Sequence, residues 1–495
     1  MNDSGNDGSL TIVWPSAVSE TAIAELLPDV LQGLLGGYLL EQRWYGEKGQ
    51  TITSIEIERP DVVAQSDAFI ALTVATLHFE SRNVFRYFVP FVLEPGESPE
   101  AIARIEADGS FWSLLDPGKN QHFHDWLWNG AIHGEKAGRF TWSILMNYLV
   151  RPDQPESRLL SGEQSNTNIA FGDELLVKVF RRVQSGLNPD VELGQYLTNK
   201  AQLSTVPRVR NDLRLAMPDE SEASIAIAQS FISGSVDGWT WLNEQLVQAG
   251  KDIDLRSAIQ IAIRDLGNAT AAIHLALASS IDPEIAPRQI TQSDIDVWTS
   301  NTRTAVEEIL RRVEERLPSI EHEEARVQAE ALVNFGDQLR LSLAGYETLI
   351  GLNKTRVHGD YHLGQTLRRG EEWFILDFEG EPARPLVERR ARYSPLKDVA
   401  GMLRSLGYAR AFATQAESAW TDPARTLERV FLAGYRMSIY ASPLAGGLIP
   451  MGEETFASTL RPWIIDKAIY EIAYELDNRP SWLWVPIMSL FAGDQ

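Results

Sequence analysis

The feature that most constrains this chain is a change of hydrophobic period near residue 240. Before it, apolar residues come in short runs rich in Val, Ile, Phe, Thr and Tyr, as in 69–79, 84–93 and Ile225 to Ile232. Such runs suit pleated surfaces. After it, they recur at helical intervals: Ile259, Ile263, Leu266, Ile273 and Leu277, then Val306, Ile309, Leu310, Val313 and Leu317. The order predicts a small β-rich lobe followed by a larger helical lobe, with an extra β-containing domain in front. A chain of 495 residues is too long for one compact core. Pro95-Gly96 punctuates the first hundred residues, in which 22–40 has near-helical spacing. The expected division is therefore an N-terminal domain over 1–98, an intermediate domain over 99–232 and a helical lobe over 233–495.

Charge and cysteine content remove several classes of function. With 45 basic and 68 acidic residues the formal balance is −23, a poor match for nucleic acid or an anionic membrane surface. A nucleotide remains possible, because a few local cations and backbone N–H groups bind phosphate on an acidic protein. The chain has no cysteine, so disulfides, Cys-ligated zinc and thiol catalysis are excluded. The polar, acidic start lacks the basic and apolar regions of a secretion signal, and no stretch of about 18 apolar residues is free of charge. A cytoplasmic protein with no membrane span is expected.

Ile169-Ala170-Phe171 and Leu175 to Phe180 flank Gly172-Asp173, a short hairpin signal. Lys178 sits inside the second apolar run, where a buried ammonium needs a carboxylate or a phosphate. Glu192 lies fourteen residues on, in a segment able to form a helix after Asn188-Pro189-Asp190. A Lys178–Glu192 pair holding ATP phosphates and a plain edge-strand lysine reaching water are both compatible with this segment. The turn Gly162 to Asn168, which includes Ser165, Asn166 and Thr167, is polar but lacks the GxGxxG pattern.

The densest chemistry lies between 356 and 398. His358-Gly359-Asp360 is followed by Gln365, then by the apolar run Trp373 to Leu376, which ends abruptly in Asp377-Phe378-Glu379. Asp377 and Glu379 thus stand at a strand end, where side chains can enter a cleft. Phosphoryl transfer needs a carboxylate to orient the attacking hydroxyl and take its proton, and oxygen ligands for the Mg²⁺ that bridges the nucleotide phosphates. Asp360 fits the first role, and Gln365 with Asp377 the second. The rival reading, a metal hydrolase built on His358, Asp360 and His362, lacks a second spaced His pair among only eight histidines. A non-catalytic module is disfavoured because each expected catalytic position holds a competent residue. On the 467–476 segment, Lys467, Tyr470 and Tyr474 share one helix face and suit a sugar, whereas Ile469, Ile472 and Leu476 form an apolar stripe.

These motifs resemble the aminoglycoside-phosphotransferase-like kinases, relatives of the protein kinases. Within them, His358 to Gln365, Asp377 to Pro382, Ser394 to Ser405, Arg43 to Gly49, Asn188 to Leu193, Asp237 to Thr240 and Lys467 to Glu475 with Asn478-Arg479-Pro480 resemble bacterial maltokinases. The resemblance implies an α+β, bilobal protein-kinase-like fold, with a β-rich N-lobe, a mostly helical C-lobe and an N-terminal cap. It implies transfer from ATP to maltose, giving maltose 1-phosphate for α-glucan synthesis. Asp360 with His358 would be catalytic, and Gln365 and Asp377 would hold Mg²⁺. Ser165 to Thr167, Lys178, Glu192 and Gln229 would bind ATP, and Glu379, Lys467, Tyr470 and Tyr474 the sugar. Association with trehalose synthase is a further expectation. Related kinases of this architecture take other sugars, glucosamine among them.

Overall fold

The computed structural model describes residues 10–143, 155–160, 165–250, 252–382, 384–415, 420 and 426–491. The chain divides into two compact units, one of residues 1–192 with 207–233 and the other of 193–206 with 234–495.

The first unit carries the β structure that the sequence predicts. Its six-stranded sheet runs in the order Leu10–Trp14, Ala103–Ala107, Ser110–Leu115, Phe91–Pro95, Ala68–Leu72, Asp61–Gln65. The expected boundary at 98 falls inside this sheet, between strands that share its ladder, because Phe91–Pro95 pairs with Ser110–Leu115. The apolar runs 69–79 and 84–93 each break into two strands. Ala68–Leu72 and Phe91–Pro95 stay in the six-stranded sheet, while Val74–Phe79 and Val84–Phe88 enter a four-stranded one. Val89 N donates to the Thr73 carbonyl at 2.9 Å where they part.

A seven-stranded antiparallel sheet completes the unit, with Leu175–Phe180 between Glu222–Ser230 and Asn166–Phe171. The expected hairpin is present, with Phe171 opposite Leu175 and Asn166 opposite Phe180. The Glu20–Glu41 helix is long and apolar enough by composition to cross a bilayer. Its Ile23, Leu27, Leu31 and Leu35 stripe is instead buried in the core with Phe91, Leu93 and Ile105.

The second unit is mostly helical. The two spacings read from sequence are the helices Ile253–Ala278 and Gln292–Arg316, capped by Asp252 and by a Thr291–Asp294 capping box. Their apolar faces share one core with the helices Leu396–Gln415 and Glu453–Asn478. A three-stranded sheet, Val236–Asp237, Thr366–Arg369 and Glu372–Ile375, presents the Asp377 end of its last strand. Gly401 lets the Leu396–Gln415 helix approach the 358–365 loop, since a Cβ there would lie 2.5 Å from the Tyr361 carbonyl oxygen. That close approach positions the site.

Candidate active site

The His358-Gly359-Asp360 loop is held from beneath by a buried carboxylate. Asp398, in the first turn of the Leu396–Gln415 helix, accepts from His358 N at 2.7 Å and Gly359 N at 2.9 Å. The His274 ring lies 3.1 Å away on its other side, with Tyr435 OH 3.0 Å from the opposite ring nitrogen. Burial pushes the Asp398 carboxyl up, but the His274 hydrogen bond and charge, His358 and the Gly359 N–H outweigh it and hold it below its ordinary value. Gly359 adopts φ +86°, open to glycine at no steric cost, and so presents its N–H downward to Asp398.

His358 is buried rather than exposed. Its ring is buried between Tyr361 and Phe378, and Nε2 donates to the Leu376 carbonyl at 2.7 Å. The loop is thereby tied to the strand end before Asp377. Asp377 itself has φ +61°, a left-handed conformation that Asp tolerates better than most residues. Leu376 N donates to the Gln365 carbonyl at 2.9 Å, which draws the backbone of Gln365 next to that of Asp377.

Asp360 lines a cavity of about 270 Å³ together with Glu381, Asp466, Lys467, Tyr470 and Trp463. Lys467 Nζ lies 3.0 Å from Asp360 Oδ1 and 3.7 Å from Glu381 Oε1. Burial pushes the Asp360 carboxyl up, and the charges of Lys467 and His362 overcome this and hold it below its ordinary value. Lys467 is raised in turn: burial lowers it, and Asp360, Glu381 and Glu471 more than compensate. Lys397 lines the same cavity, its ammonium 4.6 Å from the Tyr393 ring centre and 4.0 Å from Asp466.

The structure sorts the expected sugar residues. Lys467 and Tyr470 reach the cavity. Tyr474 is exposed outside it, beneath the Arg479 guanidinium. Glu379 is also outside the lining, because its carboxylate faces Arg389 at 3.6 Å, and Glu381 is the carboxylate of that run which reaches the cavity. The stripe Ile469, Ile472 and Leu476 is buried, as its spacing predicts. Asp398, His274, Glu381 and Asp466 were not assigned as site residues from sequence. For Asp398 the signal was its place in the Ser394 to Ser405 motif.

In the first unit, Lys178 is buried with Nζ 3.2 Å from Asp190 Oδ2. Asp190 stands two residues before Glu192, the partner expected from sequence, on the same Pro189–Gln195 helix, and Glu192 is also buried. Ser165 is exposed, while Asn166 and Thr167 are buried at the start of their strand. Gly162 to Gln164 of the expected turn lie outside the described residues. Gln229 is half-buried opposite Leu176 on the central ladder.

Comparison with known proteins places this geometry. A family model described as the phosphotransferase enzyme family matches residues 156–430. The glucosamine kinase of Mycolicibacterium smegmatis is 26% identical over 406 residues, spanning 80% of this chain and 93% of that protein. The glucosamine kinase of Streptacidiphilus jiangxiensis is 25% identical over 336 residues, 66% of this chain and 71% of the relative. Among solved structures, a glucosamine kinase in a second crystal form superposes with a TM-score of 0.69 at 21% identity, covering 94% of this chain and 98% of that one. A glucosamine kinase with glucosamine, ADP and inorganic phosphate gives 0.64 at 20% identity over 88% and 93%. The fold is the α+β fold of these kinases.

Proposed function

The chain belongs to the phosphotransferase enzyme family, and from that premise we propose that it is an ATP-dependent kinase phosphorylating a hydroxyl of a small sugar, with an amino sugar such as glucosamine as the leading acceptor. The observation that carries the reading is Asp360, an ionised carboxylate in a cavity wall, presented by a loop that Asp398 fixes from below. Asp360 would orient the acceptor hydroxyl and take its proton. Gln365 and Asp377 would hold Mg²⁺. Their fit rests on oxygen donors: the backbones of Gln365 and Asp377 run side by side, the Asp377 and Glu379 carboxylates offer oxygens within 4.8 Å of one another, and hard cations prefer such ligands. The bound ion would supply charge to offset that developing on the transferred phosphoryl group. In the first unit, Lys178 and the segment Ser165 to Thr167 that opens the Asn166–Phe171 strand would position the nucleotide phosphates, and the strand of Gln229 would lead to the adenine-holding segment.

The amino-sugar acceptor is supported by the names of both relatives and by the cavity carboxylates beyond Asp360, namely Glu381 and Asp466. A second reading, maltose as acceptor with trehalose synthase as its supplier, has its own support. Lys467 already stands against Asp360 and Glu381, and Tyr470 lines the cavity with a ring able to meet sugar C–H groups. ADP release measured with Mg·ATP and glucosamine, maltose, glucose or an aminoglycoside separates them, with the highest kcat/KM expected on glucosamine. Turnover of maltose alone would select the second reading, and turnover of none would reject both. Asp360→Asn is expected to lower kcat about a thousandfold in protein shown by circular dichroism to be folded; retained activity would assign the base elsewhere.

A further inference from the structure

One strand of the first unit belongs to two sheets. Residues Leu175–Phe180 pair within the seven-stranded sheet, whereas Arg182–Val183 pair with Arg86 and Tyr87 in the four-stranded sheet. Arg181 is the residue between, and it is among the largest fully buried side chains in the described structure. Its carbonyl accepts from Phe88 N at 2.7 Å, and its Nη1 donates back to the Phe88 carbonyl at 3.4 Å. Nε donates to Thr167 Oγ1 at 2.8 Å. The guanidinium carbon lies 4.7 Å from the Trp44 ring centre. Burial lowers the guanidinium below its ordinary value, opposed by Tyr38 and Asp116, which hydrogen-bond to each other.

These contacts account for the Arg43 to Gly49 motif, which the sugar and metal sites leave unused. Trp44 takes the face of Arg181, and Glu47 stands 3.9 Å from Arg182 and accepts from Tyr87 OH. A buried guanidinium is a costly way to fill space, since an apolar side chain of similar volume packs at least as well. What only the guanidinium supplies is directional bonding to Thr167 and Phe88 at once. Thr167 lies opposite Val179, one residue from Lys178.

We propose that Arg181 is a positioning residue for the nucleotide: it locks the Thr167 strand to the Lys178 strand and anchors both on the N-terminal sheet through Trp44 and Phe88. The Thr167 hydroxyl then serves as the bolt of the hairpin rather than as a phosphate ligand. This inference rests on the reading of that hairpin as the nucleotide site.

The test measures binding of a fluorescent ATP analogue and separate KM values for ATP and the acceptor, on protein whose folding is checked by circular dichroism. Arg181→Met and Thr167→Val are each expected to weaken nucleotide binding about tenfold, with acceptor KM within about twofold of wild type. The double variant should be no weaker than Arg181→Met alone, because both remove one interaction. Arg181→Lys should recover little of the loss, because an ammonium cannot bond Thr167 and the Phe88 carbonyl in the guanidinium's fork. If Arg181→Met fails to fold, the Thr167→Val result decides. Unchanged nucleotide binding in folded variants, an equal rise in both KM values, or an additive double variant would overturn the inference while leaving the kinase reading intact. Wild-type protein that binds no adenine nucleotide would overturn the kinase reading, and this inference with it.

Discussion

Asp398 in the second unit and Arg181 in the first are both buried charges next to a segment that carries candidate residues of its own unit, and they are satisfied by different means. In the second unit, Asp398 is an anion met by two backbone N–H groups and the His274 ring. In the first, Arg181 is a cation met by a hydroxyl, a carbonyl and an aromatic face. Charge-assisted bonds to backbone N–H groups are strong and fix main-chain geometry directly. A cation on a ring and a hydroxyl is held more weakly, and it acts on side chains. The 358–360 loop is thus held through its main-chain N–H groups, whereas the hairpin gains a side-chain bond at Thr167 on top of its own backbone ladder.

The largest expected effect tests the stronger partner. Asp398→Ala strips the loop of its acceptor and leaves His274 and two N–H groups buried without one, for a loss of about 3–5 kcal/mol in urea unfolding. A loss below that expected for the first unit would break the comparison. Next comes acid. The folded Asp398 and Asp360 carboxyls sit below their ordinary 3.8, so they contribute stability above the unfolded value that is lost as pH falls through the depressed folded values. The urea midpoint should therefore drop as pH falls below about 4, and the drop should be shallower in Asp398→Asn. Arg181→Met should leave that acid slope unaltered, since arginine stays protonated throughout. The smallest effect is Tyr38→Phe, which removes the hydrogen bond to Asp116 beside Arg181 and should cost about 1 kcal/mol by thermal melt.

Local features were legible in the sequence and distant ones were not. Asp360, Gln365 and Asp377 fall within eighteen residues, and the apolar run before Asp377 ends next to the strand end, so the nearness of these segments is readable from motif and spacing. His274 meets Asp398 across 124 positions, a closeness created by helix packing that no spacing encodes. The apolar run around Lys178 calls for a carboxylate or a phosphate if the ammonium is buried, and the structure buries it. The first turn of the Pro189–Gln195 helix supplies one, with Asp190 at 3.2 Å. Glu379 and Glu381 are two apart in a polar turn, where alternation fails, so only the fold reveals which faces Arg389 and which the cavity. Tyr474 shares a helix face with Lys467, but it lies one turn beyond Tyr470, where the cavity has ended. The boundary at 98 followed from Pro95-Gly96, which marks a turn between strands of one sheet just as readily as a border between domains.

The strand that changes sheets at Arg181 also bears on how such a protein can be taken apart. A chain beginning at residue 99 would keep Ala103–Ala107, Ser110–Leu115 and Arg182–Val183 while losing the strands they pair with, Leu10–Trp14, Phe91–Pro95 and Val84–Phe88. Its open edges would offer unpaired N–H and C=O groups to any neighbouring copy, the usual route to aggregation. The N-terminal sheet is therefore not a removable accessory of this chain: it is spliced into the fabric that carries Lys178.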